Sequence, residues 1–484
     1  MRTRFAPSPT GFLHVGGLRT ALYSYLMAKK ETDGVFLLRI EDTDQERSVP
    51  GAIENIIKSL AWAGIQADEG VMLRKGKAAQ IGRKGPYIQS ERLDLYKKYA
   101  AELLASGSAY PCFCTSERLE QMREEQMKDK RAPMYDRLCM SLPKEEVDRR
   151  LNAGEPHVLR MKIPRNQIIE FQDEIRGKVS FQGSVVDDQV LLKSDGFPTY
   201  HLAHVVDDHL MDIDLVIRGE EWLSSLPKHL LLFQYLGWNP PRYAHVPLLL
   251  NKDRSKLSKR QGSVAVEEYI AKGYLPEALI NFLAMLGWNP GTTQELFSLP
   301  ELIDAFEIDR IQKSGAIFDI EKLDWIQGQW IRRLAPEEFA ARIKPLVEAK
   351  YSDATSDKDF VEKAKLIQDR LLFFPEAPEM LSFLYEEPAV DKDMLASEKQ
   401  KVTKEILPEI LQSLVETLES VSDWSLDNIK AALEKSLVTS TYKKGQILWP
   451  LRVALTGKPF SPGAYEVAAV LGRGATLKRL RKVL

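Results

Sequence analysis

The spacing of hydrophobic residues divides this chain of 484 residues into two halves of different character. Near the N-terminus, short apolar runs alternate with helical periodicity. Residues 3–6 read as a short strand, and residues 16–30 as a helix with Leu18, Leu22 and Leu26 on one face. Residues 35–40 form a continuous apolar strand of the kind buried on both faces in a parallel sheet. Residues 50–63 read as a second helix, with Ile53, Ile56, Ile57 and Leu60 inward. This strand–helix–strand–helix order predicts a doubly wound sheet, with ligands at the carboxyl ends of its strands. From about residue 95 to 199 the pattern is irregular, with helices alternating with strands such as 179–182 and 189–193. The regular pattern then resumes with a strand at 215–218, a helix at 227–236 and a further apolar strand at 245–250.

After about residue 266 strand signals nearly vanish. Residues 275–286, 360–372 and 402–418 carry helical periodicity, and the stretches 350–359 and 386–393 are candidate boundaries. The expected architecture is a Rossmann-like α/β domain with an inserted α/β domain, followed by all-α C-terminal domains. Its two Rossmann-like halves span 1–95 and 200–250, and the insertion spans 96–199. A loop-bearing region follows at 251–335, then a helical region at 336–484 with an internal boundary near 393. No internal repeat is visible.

Composition narrows the setting. With 44% hydrophobic and 28% charged residues the chain is an ordinary globular sequence. No apolar run reaches the ~20 residues of a membrane helix, and there is no secretory leader pattern. Three cysteines argue against a disulfide framework. The cytoplasm is the expected location; an organellar matrix enzyme whose transit peptide had been removed would look the same. A net charge of −2 means that any phosphate-binding surface must be local. Residues 473–484 hold five cations and no acid. A solvated helix end suited to the C-terminal dipole and an RNA contact are both open readings.

Two segments carry the chemistry. In the first, Pro7 and Pro9 stiffen a turn, Thr10 and Gly11 follow, and His14-Val15-Gly16-Gly17 opens a helix. A helix N-terminus offers free N–H groups and a positive dipole end to phosphate. His14 can donate to a phosphate oxygen in the transition state; the alternative is a capping or core histidine. The second segment, Lys256-Leu-Ser258-Lys259-Arg260, follows an apolar strand that ends at Leu250. Its cations suit the phosphates of a nucleotide as pyrophosphate leaves; the alternative is a solvated basic loop. Together the segments describe a pocket that holds a nucleoside triphosphate from two sides.

These segments resemble the two signature motifs of class I aminoacyl-tRNA synthetases. Residues 4–11 (Arg-Phe-Ala-Pro-Ser-Pro-Thr-Gly), 39–44 (Arg-Ile-Glu-Asp-Thr-Asp), 197–203 and 205–209 are similar to the glutamyl-tRNA synthetase branch, and residues 450–457 to a motif of its helical anticodon-binding region. The resemblance covers essentially the whole chain. It implies ATP-dependent activation of glutamate and transfer to the 3′ end of tRNA(Glu), with magnesium held by phosphates and water. Members usually need bound tRNA before they activate the amino acid. In these terms the insertion is the acceptor-binding domain, 251–335 the stem-contact region and 336–484 the anticodon-binding region. The resemblance also implies a monomer.

Glutamate carries two carboxylates and an ammonium. Arg4 and Arg218 are the arginines that the resemblance assigns to it, and Arg suits bidentate carboxylate binding. Glu41 matches the ammonium, Ser8 assists, Tyr200 supplies a phenol and Trp222 a wall. His204 stands where many members have Asn, which weakens its assignment as a glutamate contact. For ATP the resemblance points to Pro7, Thr10, His14, Gly16, Gly17, Leu250, Ser258, Lys259 and Arg260. His14, Lys259 and Lys256 are the catalytic candidates. Asp44 falls where members contact the acceptor end, and Arg370 and Arg452 are anticodon-side candidates.

All three cysteines, Cys112, Cys114 and Cys139, lie in the insertion. Related zinc-bearing proteins place a Cys-x-Cys pair and a later Cys here. A closed zinc site needs a fourth ligand: Ser141 is a poor one, and Tyr135 could serve, as a tyrosine does in a shorter relative that modifies tRNA for aspartate. Zinc and three reduced thiols both remain open. Other functions compete. A tRNA-independent nucleotidyltransferase would not need the helical half, and a non-catalytic RNA-binding paralogue would not need His14, Gly16, Lys256 and Lys259. A glutaminyl-tRNA synthetase would carry β-barrels in its anticodon half. Whether tRNA(Gln) is also charged stays open.

Overall fold

The computed structural model describes residues 1–257 and 264–484. Ser258, Lys259 and Arg260 therefore lie outside the described residues. The chain forms two compact units, one of residues 1–271 and 276–323, the other of 272–275 and 324–484.

The first unit is built on an eight-stranded sheet. Its strands are β1 (Arg2–Phe5), β2 (Val35–Leu38), β3 (Glu69–Arg74) and β4 (Lys77–Ile81) from the N-terminal part. A three-stranded sheet of β5 (Ala109–Cys112), β6 (Val158–Met161) and β9 (Val190–Leu192) stands apart. Between β6 and β9 lies a hairpin, β7 (Ile168–Asp173) and β8 (Gly177–Gln182), and the later strands are β10 (Leu215–Gly219) and β11 (Arg242–Val246). The large sheet runs in the order β4-β3-β2-β1-β10-β11-β7-β8. Strands β3, β2, β1, β10 and β11 are parallel neighbours. Strand order reverses at β1: the chain proceeds to β2 on one side, and returns much later with β10 on the other. Ligands of open α/β sheets bind outside the strand ends at such a reversal.

The apolar patterning accounts for these elements. Leu18, Leu22 and Leu26 of the first helix, Val15–Lys29, are wholly buried, as are Phe36 and Leu37 of β2. Three differences from the sequence reading have local causes. The run expected as one strand over 245–250 is two, because Pro247 interrupts the ladder. Arg242–Val246 stays in the large sheet, and β12 (Leu249–Leu250) pairs with β13 (Ala316–Ile317). The hairpin β7–β8 lies within the stretch expected as an insertion, yet joins the large sheet through Asp173 opposite Tyr243. The β3–β4 hairpin left no signal because its second strand, Lys77–Ile81, is largely exposed and lacks an apolar run.

The second unit is helical. One core of it gathers Leu411, Leu414 and Leu418 with Leu451, Leu455, Val467 and Leu480. The five cations of the last twelve residues are engaged within it. Arg481 and Arg473 meet Glu419, Lys478 and Lys482 share Glu387, and Arg479 donates to the carbonyls of Leu455 and Phe383. These contacts tie the final helix, Ala464–Val483, to its neighbours. Among the described residues, no helix is long and apolar enough to cross a membrane.

Candidate active site

A cavity of about 770 Å³ opens at the carboxyl ends of β1 and β10. One wall is the start of the first helix. His14 is its N-cap, with extended backbone, and its Nδ1 accepts the N–H of Gly16 at 3.0 Å. That bond places the ring proton on Nε2. Capping and phosphate donation, alternatives at the level of sequence, therefore use different nitrogens of one ring. A Cβ on Gly16 would lie 3.2 Å from that Nδ1, so glycine leaves room for the imidazole.

The segment around the second motif returns to the same place. Val264 accepts from the backbone N–H of Val15, and Val266 donates to Leu13. On the other flank, Leu257 N–H bonds to Leu249, and Lys256 lines the cavity. Lys252, in the same basic run, is turned away to Asp319 and Glu321.

At the floor stand two buried arginines. Arg4, from β1, pairs with Asp208 at 3.3 Å. Behind it, Arg39 contacts Glu41, Asp207 and Asp208, and Arg92 pairs with Asp207 at 2.7 Å. Three arginines thus face three carboxylates in one connected, buried group. Burial alone would raise Asp208, but Arg4, His204 and Arg39 outweigh it and hold its carboxyl well below the usual range. Glu41 differs: burial dominates and pushes it up to about 7, against the pull of Arg39 and Arg4. It also lines the cavity.

Arg218 projects from the end of β10 and is 5% exposed. All its hydrogen-bond partners among the described residues are formally neutral. Nε donates to His245 Nε2 at 3.1 Å and Nη1 to the Tyr200 hydroxyl at 3.1 Å. His229 Nδ1 lies 3.3 Å from both Nη1 and Nη2, His204 Nε2 3.5 Å from Nη1, and the Trp222 carbonyl 3.5 Å from Nη2. The Tyr243 ring lies beneath the guanidinium, 5.1 Å from its carbon. Tyr200 packs against Trp222 with centroids 4.2 Å apart.

The cavity gathers most residues singled out from the sequence. Arg4, Ser8, Thr10, His14, Gly16, Gly17, Glu41, Asp44, Tyr200, Arg218, Trp222 and Lys256 all line it. Three others do not. Pro7 sits beside it and accepts the N–H of Glu41. Leu250 is held in the β12–β13 pair. His204 is wholly buried behind the two arginines, 3.4 Å from Arg4 and 3.0 Å from Asp208. Burial from solvent removes it from the lining. Arg19, Thr20, Arg47, Lys193 and Glu221 also line the cavity. They left no signal, because single polar residues on helices and loops look solvated until the fold aims them inward. Asp44 is partly exposed and pairs with Arg47, which holds its carboxyl below the ordinary range.

Elsewhere in this unit, Cys112, Cys114 and Cys139 bring their sulfurs within 4.8 Å of one another. Tyr135 Oη lies 3.3 Å from the sulfurs of Cys112 and Cys114, and Cys114 Sγ is 3.5 Å from Cys139 Sγ. The Arg160 guanidinium covers the Tyr135 ring at 4.1 Å. Ser141 is exposed and outside this cluster. In the helical unit, Arg370 is exposed and close enough to Arg452 to act on it electrostatically. Burial, then the Arg370 charge, lowers the Arg452 guanidinium, and its buried Nε has no hydrogen-bond partner among the described residues.

Residues 1–325 match the family described as tRNA synthetases class I (E and Q), catalytic domain, and residues 338–484 match an anticodon binding domain. The chain belongs to the class I aminoacyl-tRNA synthetases. It is 47% identical over its full length to a glutamate–tRNA ligase of Chlorobium luteolum, covering 97% of that protein, and 46% identical to one of Prosthecochloris aestuarii. A glutamate tRNA ligase from Elizabethkingia meningosepticum, solved in complex with its amino acid, superposes with a TM-score of 0.86. It is 36% identical, and the match covers 100% of this chain and 99% of that one. Within the class, this enzyme is of the glutamate–tRNA ligase kind: it attaches glutamate to tRNA(Glu) through an adenylate, at the expense of ATP.

Proposed function

We propose that the cavity described above is where this reaction takes place, with glutamate on the arginine floor and ATP along the first helix. The observation that carries this reading is the arrangement of charge: two buried arginines and a buried carboxylate at one end, and a helix N-terminus with His14 at the other. Arg4 and Arg218 take the carboxylates, Glu41 the ammonium, and Ser8, Tyr200 and Trp222 close around the side chain. Arg4 and Arg218 together suit a dianion, and an amide would leave an arginine poorly matched. ATP lies with its phosphates toward Thr10, His14, Gly16, Gly17 and Lys256. The His14 Nε2–H donates to the phosphate being displaced as the α-carboxylate oxygen attacks the α-phosphorus and pyrophosphate departs. Lys259 has the same duty in this reading, with Ser258 and Arg260, and their supporting observation is the motif alone. Magnesium, held by phosphates and water, would neutralise the leaving group. A ribose hydroxyl of the terminal adenosine of tRNA then attacks the glutamyl carbonyl, the bond to phosphate breaks and AMP departs, with Asp44 on the acceptor side and Arg370 and Arg452 on the anticodon side.

The thiol cluster fits zinc. A tetrahedral ion with bonds of about 2.3 Å to sulfur and about 2.0 Å to oxygen needs donor separations of about 3.5–3.8 Å. The Tyr135 oxygen lies 3.3 Å from two of the sulfurs, Cys114 Sγ lies 3.5 Å from Cys139 Sγ, and all three sulfurs lie within 4.8 Å of one another, which supports Tyr135 rather than Ser141 as the fourth ligand. We read the enzyme as a monomer whose insertion binds the acceptor arm and whose helical half binds the anticodon.

Pyrophosphate exchange with glutamate, with and without tRNA(Glu), tests this site. Arg218→Ala should abolish glutamate-dependent exchange while leaving ATP binding in place; undiminished exchange would refute the arginine floor. Equal exchange without tRNA would refute the expected tRNA dependence. Charging of tRNA(Glu) and tRNA(Gln) side by side decides whether the enzyme discriminates between them.

A further inference from the structure

Four of the seven histidines of the chain, His201, His204, His229 and His245, gather behind Arg218, and none of them lines the cavity. Three of them aim a ring nitrogen at the guanidinium, and the far side of each ring shows where its proton resides. His245 accepts from Arg218 Nε–H through Nε2, so its proton is on Nδ1, 2.5 Å from Asp173 Oδ2. His204 turns Nε2 to Arg218; its Nδ1 lies 3.0 Å from Asp208, the shorter contact, and 3.4 Å from Arg4 Nη2. His229 turns Nδ1 to both terminal nitrogens of Arg218, and its Nε2 meets His201 Nδ1 at 3.0 Å. Each ring therefore offers a lone pair to the arginine and points its proton away. An imidazolium at any of the three would set an N–H against the guanidinium.

The neighbouring carboxylates meet other groups, and Asp173 reaches Arg218 only through the His245 ring. Arg4, Arg39 and Arg92 are matched by Glu41, Asp207 and Asp208. A carboxylate partner for Arg218 would have fixed its geometry equally well, but would have neutralised it. Neutral acceptors fix the fork and leave its charge for an anion from outside.

We propose that His204, His229 and His245 are positioning residues for amino-acid specificity: a cradle of neutral acceptors that orients Arg218 while keeping its charge uncompensated, so that a carboxylate is taken and the isosteric amide refused. This rests on the glutamate site proposed above. Burial, with the Arg218 charge adding to it, holds all three rings below the ordinary histidine range, with His204 at about 3. That agrees with uncharged rings at neutral pH.

The test uses a shape-matched pair at His229. In His229→Asn the side-chain oxygen replaces Nδ1 as a neutral acceptor; in His229→Asp the same shape carries a negative charge. Steady-state exchange in the presence of tRNA gives kcat and KM for glutamate and for glutamine, and the KM for ATP monitors the rest of the site. His229→Asp should raise the glutamate KM by ~10-fold or more, leave the ATP KM unchanged, and narrow the preference for glutamate over glutamine by a similar factor. His229→Asn should keep most of that preference. An Asp variant with the wild-type preference, or an Asn variant as impaired as Asp, overturns the cradle. Should His229→Asp fail to fold, nitrogen NMR of the wild-type enzyme labelled at histidine decides. Neutral rings at pH 7.5, protonated on Nε2 in His229 and on Nδ1 in His204 and His245, support the cradle; an imidazolium at any of them refutes it. An Arg218→Ala enzyme with an unchanged glutamate KM would instead remove the glutamate site itself.

Discussion

His14 and Glu41 show how much a single side chain depends on its surroundings. His14 caps a helix through Nδ1 and presents Nε2 to the cavity, and these duties can be separated. Asn is a good N-cap but lacks the reach of the imidazole. His14→Asn should leave the melting temperature nearly unchanged and slow exchange by about 10²-fold; a rate close to wild type would reduce His14 to a cap. Glu41 makes a pH prediction. With its carboxyl raised to about 7 by burial, the form that pairs with an ammonium is full only above that pH and is lost as pH falls through it. The glutamate KM should therefore climb as pH drops below about 7, approaching ~10-fold per unit. The profile should flatten in Glu41→Gln. A KM independent of pH between 6 and 8 in the wild type would exclude this role.

At the scale of the element, two structures bear weight for different reasons. The first helix is an apolar stripe driven into the sheet, with Leu22 fully buried. Leu22→Ala should cost about 2–5 kcal/mol in a denaturant melt, and its N-terminus, with the phosphate end of the cavity, would suffer with it. The segment holding Cys112 to Cys139 has only a small core, made of Tyr110, Cys112, Phe113, Tyr135 and Cys139. A bound ion would supply stability that so few apolar groups cannot. Metal analysis should find about one zinc per chain, and Cys114→Ser or chelation should lower the melting temperature. Protein purified with no zinc, unaffected by chelator, would return the cluster to three reduced thiols.

The whole molecule consists of two compact units, each with its own buried core. Calorimetry should resolve two transitions. Leu451→Ala, in the helical core, should move only one of them, by several degrees. A single transition shifted as a whole would mean that the units unfold together. The helical unit also bears on the basic tail: its cations meet Glu387, Glu419 and main-chain carbonyls, contacts that tie the last helix to its neighbours.

What the sequence determined by itself was periodic or contiguous. Alternating apolar runs and helical stripes sufficed for the parallel sheet and for the helical second half, because burial of one face imposes that spacing. The residues of the first motif are neighbours in the chain, so their helix N-terminus was readable too. Tertiary structure alone decided what depends on distant residues meeting. It split 245–250 at Pro247, drew the β7–β8 hairpin into the large sheet, and set Tyr135 rather than Ser141 among the thiols. It also moved His204 from the cavity wall to the space behind it, and brought His229 and His245 to Arg218 from a helix and a strand with no sign of either role. Hydrogen-bond partners and local dielectric are properties of the packed interior, and no spacing along a chain encodes them. The sequence supplied the arginine; the fold decided that its direct hydrogen-bond partners among the described residues would be neutral acceptors.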